Sequence, residues 1–417
     1  MKRNSSGTPI LRLILPSTFR LPFGLAIVLI LAGFTSGIIG SDSTGINAVA
    51  ESSVITPEDP ARRLILVIGD GMGEEQLRAA SLYKTGKENN LTLQSLPVSS
   101  SISTNSLSHQ ITDSAAAATA FATSMKVQNG AITVRLPGDG TDLSTITEDL
   151  KAEGWAIGLV TTAFATHATP AAFGAHVTRR TDFAGIAEDY LTGLRPEVIF
   201  GGGGYGMDPS TVEESGYNLV TNKKELFSTV RNHIPGEHIA GLFGLGHMPY
   251  LYDGRPDDMP GLVDMAESAV ELLAPREEGF FLMIEGARID HAGHDNDINR
   301  LIPEVLELDA VVEMLVNHPL LQEETLLVVT ADHETGGLSV IKPKGSGRIP
   351  EVSWSSTEHT AAKVPLYAAG VKAEGFVDVI DNTLLRDAMY AAKEKRDHKL
   401  LLVEEPAVTV PEEGLIQ

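Results

Sequence analysis

Four places in this 417-residue chain gather side chains able to do chemistry together. The first is Asp70 in "GDGMG", Gly69 to Gly73. The second is Glu285, followed by "ARIDHAGH", which brings in Asp290, His291 and His294. The third is "DHETGG", with Asp332 and His333, and the fourth is His359 in "STEHTAAKVP". Asp290 and His294 lie four apart, so a helical turn aims both to one side, a spacing that suits a divalent metal. One acidic loop holding a histidine is commonplace; four such sites in one chain are hard to obtain by accident. Carboxylate and imidazole together suit Zn²⁺, or Zn²⁺ with Mg²⁺. The chain has no cysteine, so thiolate ligands and disulfides are excluded.

The loop "GDGMG" reads in the simplest case as a Gly-rich turn with an Asx cap. It does not have the G-x-G-x-x-G spacing of a dinucleotide-binding turn, which counts against a dehydrogenase. Asp70 at its centre would repel a phosphate unless a cation stood between them. A further stretch, "ITDSAAAATAFATSMK" from Ile111 to Lys126, sets Asp113 and Ser114 ahead of a run of alanines. Alone, that is a capped helix. Five of the twelve histidines, at 233, 238, 247, 318 and 398, sit in polar or unpatterned surroundings and read as surface residues.

The elements that would position these groups alternate along the chain. The apolar runs "RLILVIG", "WAIGLVTT", "EVIFGG", "GFFLMIEG", "TLLVVTA" and "VPLYAAG" read as strands buried on both faces, as in a parallel sheet covered by helices. Helical patterns fall at Glu74 to Lys84, Ser114 to Met125, Thr145 to Lys151 and Leu301 to Val316. The fold class is α/β: a doubly wound, mostly parallel central sheet flanked by helices, with surface insertions. In such sheets ligands collect beyond the carboxyl ends of the strands, where Asp70, Glu285 and Asp332 fall, while His359 comes just before the last strand. Two segments fit a sheet badly, Asp208 to Asp258 and Lys342 to Glu358, and are expected to be surface excursions. No internal repeat stands out.

At 42% hydrophobic residues, the chain can bury a large core. Fifty-five acids against thirty-two bases give a formal charge of −23, which argues against a nucleic-acid groove. An anionic substrate would need local positive charge, for which bound metals are a source. Lys2, Arg3, Arg12 and Arg20 precede an uncharged apolar stretch, Leu21 to Gly40. That pattern predicts an export signal or membrane anchor within residues 1–50 and a periplasmic or extracellular protein. The "AVA" of Ala48 to Ala50 resembles a cleavage site but lies far beyond the apolar run. A polar, proline-containing linker leads into the folded part, and residues 396–417 read as a C-terminal tail.

Six motifs, in order, resemble those of the alkaline phosphatase family: "IGDGMG", "TDSAAAATAFATSMK", "THATPAAFGAHVTRR", "IEGARIDHAGH", "TADHETGG" and "EHTA". The similarity runs from about Arg63 to Gly370, and it implies a catalytic domain over residues 51–395 that hydrolyses phosphate monoesters. Residue by residue, it makes Ser114 the nucleophile, Arg180 the phosphate-binding arginine and Asp113 the acid that positions Arg180; Arg179 only looks equivalent. It implies one zinc on Asp290, His294 and His359, and a second on Asp70, Asp332 and His333. A third ion, usually Mg²⁺, would share Asp70 and add Thr169 and Glu285. His167 and His291 stand where some branches carry an acid and a lysine, as groups around the third ion, and their imidazoles would make Zn²⁺ or Co²⁺ more competitive there. A homodimer is the family expectation. The stretch from His333 to His359 is short for the family and implies a reduced surface subdomain.

Two other readings stand beside this one. A metal-dependent esterase of the same superfamily would act on phosphodiesters, phosphonates or sulfate esters. Arg180 argues against a diesterase, because it would grip oxygens that a diester has already alkylated, and the modified residue of sulfatases has no matching motif. A non-catalytic surface protein that binds metal or phosphate would need the ligands without a nucleophile, yet Ser114 and Arg180 are both present.

Overall fold

A computed structural model describes residues 60–394. The apolar N-terminal stretch, most of the linker, the C-terminal tail and His398 lie outside the described residues. Thirteen strands follow in chain order: β1 (Arg63–Gly69), β2 (Val98–Ile102), β3 (Ala156–Phe164), β4 (Val198–Gly203), β5 (Asn218–Val220), β6 (Ile239–Leu245), β7 (Phe280–Gly286), β8 (Thr325–Thr330), β9 (Glu334–Thr335), β10 (Leu338–Lys342), β11 (Glu351–Trp354), β12 (His359–Thr360) and β13 (Val364–Gly370).

Nine of them form one sheet in the order β2-β13-β8-β1-β7-β3-β4-β6-β5. Seven, from β8 to β5, run parallel, while β13 is antiparallel to both β8 and β2. The central strands β1, β3, β7 and β8 are buried along nearly their whole length, which explains their continuous apolar runs. Registration aligns the carboxyl ends: Ile68 pairs with Glu285 on one side and Thr330 on the other, and Thr161 pairs with Glu285. Asp70, Glu285 and the Asp332–His333 pair therefore emerge side by side.

Helices fall where periodicity and caps place them. Ser114–Thr123 begins after Asp113, whose side chain accepts from the Ala116 amide. Ile146–Ala152 carries a capping box from Thr145 and Glu148. Ile298–Asn317 is capped by Asp297 and tolerates Pro303 near its start.

The expectation that Asp208 to Asp258 leaves the sheet is wrong. The segment supplies β5 and β6, which form the far edge. β5 spans only three residues and β6 carries two glycines within "IAGLFGL", so neither shows a strand period. β2, "VSSSI", carries no apolar run either, because its three serines fill a strand buried only at its ends. Lys342 to Glu358 is a surface feature, holding β11 paired antiparallel to β10.

Candidate active site

The loop after β1 has a shape that only glycine permits. Gly71 has φ of +75°, and a Cβ there would lie 2.7 Å from the Asp290 Cα. The tight turn lets the Gly71 amide donate to Asp332 Oδ1 at 3.2 Å, while the Gly71 carbonyl accepts from the Thr335 amide. The ends of β1 and β8 are thereby tied together, with Asp290 after β7 packed against the turn, and the acids they carry converge.

Three groups of side chains place their ligand atoms within 4.8 Å of one another. The first is Asp290, His294 and His359. His294 Nδ1 donates to the Thr357 carbonyl at 2.6 Å and His359 Nδ1 to the Thr112 carbonyl at 2.8 Å. Each proton is thus committed to the backbone, and the two Nε2 lone pairs face each other at 3.1 Å and Asp290 Oδ1 at 3.4 and 3.5 Å. Thr335 Oγ1 donates to the same Asp290 oxygen at 2.5 Å. Two imidazole lone pairs at that separation are complementary to a cation between them.

The second group is Asp70, Asp332 and His333, all fully buried. His333 Nε2 lies 3.5 Å from Asp70, 3.2 Å from Asp332 and 3.3 Å from Ser114 Oγ. The His333 ring stacks on that of His359, centroids 3.5 Å apart, and so joins the two groups. The third group is Asp70, His167 and Glu285, with Asp70 shared. Both Asp70 oxygens, one oxygen each of Glu285 and Asp332, Thr169 Oγ1 and His167 Nδ1 are buried without a hydrogen-bond partner. Buried polar atoms are normally paired, so this concentration in one spot marks an ion-binding centre. Burial raises the Asp70 carboxyl well above its ordinary range, helped by the charges of Asp332, Asp290 and Glu285. Burial likewise pushes Glu285 to about 7 and Asp332 to about 6, and holds His333 and His167 well below the usual imidazole range. Carboxyls that resist ionising beside imidazoles that resist protonation are the environment that divalent cations reverse.

Ser114 is the first residue of its helix, 2% exposed, with its hydroxyl toward His333. Asp113 serves two ends at once. Its Oδ1 caps the helix at 3.0 Å from the Ala116 amide, and its Oδ2 accepts from the Gly130 amide at 3.0 Å and from Arg180 Nη1 at 3.1 Å. Arg180 Nη2 lies 3.3 Å from His167 Nε2, which leaves the guanidinium beside the shared acid cluster, whereas Arg179 is exposed. The residues named from the sequence thus lie in one region: Ser114, Asp113 and Arg180 on one side, the eight expected ligands on the other, and His167 and His291 beside them.

Two corrections concern histidines read as surface residues. His318 is 8% exposed, and its Nδ1 accepts from the Leu320 amide. His247 packs among His167 and His291, with ring centroids 5.5 and 4.4 Å away. His291, for its part, is bound through Nδ1 to Arg288 at 2.8 Å. The loop carrying His247 has no periodicity; its course is set by Met248, which donates to the Thr162 carbonyl, and by Tyr250 beneath Arg288 at 3.8 Å.

A family model described as alkaline phosphatase matches residues 61–347. Alkaline phosphatase 3 of Bacillus subtilis (strain 168) is 34% identical over 335 residues, covering 76% of this chain and 70% of its own. The alkaline phosphatase of Escherichia coli (strain K12) is 30% identical, with 80% and 86% covered. The crystal structure of a cold-active alkaline phosphatase from a psychrophilic Shewanella superposes with a TM-score of 0.71 at 28% identity, over 79% of this chain and 99% of that one. A variant of TAB5 alkaline phosphatase with Mg bound in its M3 site reaches 0.70 at 26% identity, over 80% and 98%. With the family model spanning most of the chain, a third of the aligned residues shared with a bacterial relative and the acids and histidines gathered at the strand ends, the chain belongs to the alkaline phosphatase family, metal-dependent hydrolases of phosphate monoesters.

Proposed function

We propose that this enzyme transfers the phosphoryl group of a monoester to Ser114 and then to water, on a centre of two Zn²⁺ and one Mg²⁺. Asp290, His294 and His359 would hold one zinc, and Asp70, Asp332 and His333 the other. Asp70, Thr169 and Glu285 would hold the third ion. The orphaned oxygens of Asp70, Thr169, Glu285 and Asp332 support that assignment, as does the Mg bound in the M3 site of the TAB5 variant. His167 stands within ligand reach at the third position, which favours competition from Zn²⁺ or Co²⁺ there. When bound, these ions supply Lewis acidity: they lower the pKa of a hydroxyl and offset negative charge on departing oxygen.

The chain's own groups perform the rest. Ser114 Oγ attacks phosphorus in line; an Oγ–P bond forms and the bond from phosphorus to the alcohol oxygen breaks. The helix N-terminus behind Ser114 adds favourable potential for the nucleophile and for the phosphoryl oxygens. Arg180 presents a planar fork to two of those oxygens, held in aim by Asp113. Water then attacks from the side the alcohol has left, releasing inorganic phosphate and restoring the Ser114 hydroxyl. A diester offers one less free oxygen to that fork, so monoesters are the favoured class.

The observation carrying this reading is Ser114 Oγ, set at a helix start 3.3 Å from His333 Nε2 beside the Arg180–Asp113 pair. Ser114→Ala should abolish monoester turnover with zinc content unchanged by metal analysis; turnover that survives in the loaded variant overturns the serine route. The basic residues ahead of Leu21 to Gly40 support export, with that segment as a leader or anchor, and the family resemblance supports a homodimer.

A further inference from the structure

His176 lies outside the acid cluster, four residues before Arg180. Both of its ring nitrogens are engaged: Nε2 is 2.8 Å from Glu148 Oε1, and Nδ1 is 3.1 Å from the Thr133 carbonyl oxygen. Nδ1 also lies 2.8 Å from Thr133 Oγ1, whose own hydroxyl donates to the Ala175 carbonyl. With acceptors on both sides, the ring satisfies each of them as an imidazolium. Thr133 is fully buried at φ of +46°, a left-handed conformation rare for a β-branched residue and retained only where its surroundings impose it.

Thr133 belongs to a strap that ends on the phosphate-binding pair. Ile132 and Val177 exchange backbone hydrogen bonds at 3.0 and 3.1 Å. The Gly130 carbonyl accepts from the Arg180 amide at 2.8 Å, and the Gly130 amide donates to Asp113 Oδ2 at 3.0 Å. A shift at Thr133 therefore moves both the backbone of Arg180 and the acid that aims it.

We propose that His176 is a positioning residue for the phosphate grip: held as a cation between Thr133 and Glu148, it fixes the Gly130–Thr133 strap on which Arg180 and Asp113 are aligned. This rests on the role given to Arg180 above. The charged groups facing the ring are Glu148, from the helix Ile146–Ala152, and Asp142, from the loop paired to Val134; Asp189 Oδ2 accepts from the His176 amide at 2.8 Å. Lys151 shares the cleft but is tied to Glu197 at 2.7 Å. Burial works against the cation, but the hydrogen bonds to Glu148 and Thr133 and the charges of Glu148 and Asp142 outweigh it and raise the ring pKa to about 9. The brace is therefore closed at pH 7–8 and opens above about pH 9.

The test compares the metal-loaded enzyme with Glu148→Gln and His176→Gln between pH 7 and 10.5. It reads inhibition by inorganic phosphate, KM and kcat on an aryl phosphate, zinc content and melting temperature. At pH 7.5 both variants should bind phosphate about tenfold more weakly, with KM changed more than kcat and zinc retained. The Glu148→Gln deficit should then shrink toward the parent value above pH 9, where the parent ring has itself lost its proton. A deficit constant across pH, a loss that tracks zinc content or melting, or unchanged phosphate binding overturns the proposal. Calorimetric phosphate binding to Ser114→Ala, alone and combined with Glu148→Gln, reads the same deficit without turnover. A failed serine mechanism is thereby told apart from a failed brace.

Discussion

Asp113 shows how much one residue type in one place can decide. A carboxylate ahead of a helix contributes about 1 kcal/mol as a cap, and that would account for it if Oδ2 did not also hold Gly130 and Arg180. The cost of losing Arg180 should accordingly be large. Arg180→Ala is expected to lower kcat/KM for a monoester by about 10²- to 10³-fold, the range for removing a preorganised donor from a transition-state oxyanion. Arg180→Lys should fall between the two, since it keeps the charge and loses the fork. Steady-state kinetics at constant zinc content would check this; equal activity in all three would remove Arg180 from the phosphate site. At this scale the sequence was readable wherever an acid or imidazole followed an apolar run, as at Asp70, Glu285 and Asp332. His247 and His176 were not readable. One sits on an aperiodic loop, and the other lies inside an Ala-rich motif where its partners Thr133 and Glu148 are 43 and 28 residues distant.

The segment between β6 and β7 shows why element-level reading stopped short. From Gly246 to Asp258 it has no secondary structure to betray it, yet it is pinned to the helix Ile298–Asn317. Arg255 forks onto Glu307 at 2.5 and 2.8 Å and lies 3.7 Å from Glu304, whose Oε1 accepts from the Leu251 amide. No local pattern encodes a contact fifty residues away. Burial, helped by the charge of Glu307 and offset by Arg255, raises the Glu304 carboxyl to about 7. A carboxyl whose folded pKa lies above its unfolded value favours the folded state fully only below the unfolded value, near 4.5. Stability should therefore fall as pH rises from about 4.5 through about 7. Glu304→Gln keeps an acceptor for Leu251 and removes the buried charge, while Arg255 keeps its bidentate partner Glu307. It should stabilise the protein by about 1–2 kcal/mol at pH 8 and make no difference near pH 4.5. Urea melts at the two pH values decide the matter, and a variant that is less stable at pH 8 would mean the ion pair to Arg255 outweighs the burial.

For the whole molecule, the continuous apolar runs announced a parallel sheet, and β1, β3, β4, β7, β8 and β13 stand where they predict. Direction and edges were less visible: β13 runs antiparallel, and β2, β5 and β6 are too short or too rich in small residues to carry a period. What the sheet accomplishes is convergence. It brings Asp70, the neighbouring Glu285 and Asp290, and Asp332, from three separate stretches of sequence, into one buried cluster of like charge. Asp70, Glu285 and Asp332 resist ionisation there, so the cations that neutralise them are part of the stability of the folded state as well as of its chemistry. A ligand present at a hundred times its Kd adds about 2.7 kcal/mol per site. The two proposed zinc sites, held at that level, would contribute roughly 5 kcal/mol, which in a domain of this size corresponds to a melting shift of about 5–10 °C. Thorough chelation should produce that drop, abolish monoester hydrolysis and be reversed by Zn²⁺ with Mg²⁺. Amide exchange should rise first in the loops after β1, β7 and β8 and leave β5 and β6, at the far edge, protected as before. Full activity and an unchanged melting temperature after metal analysis confirms removal would mean that the strand-end acids serve neither purpose.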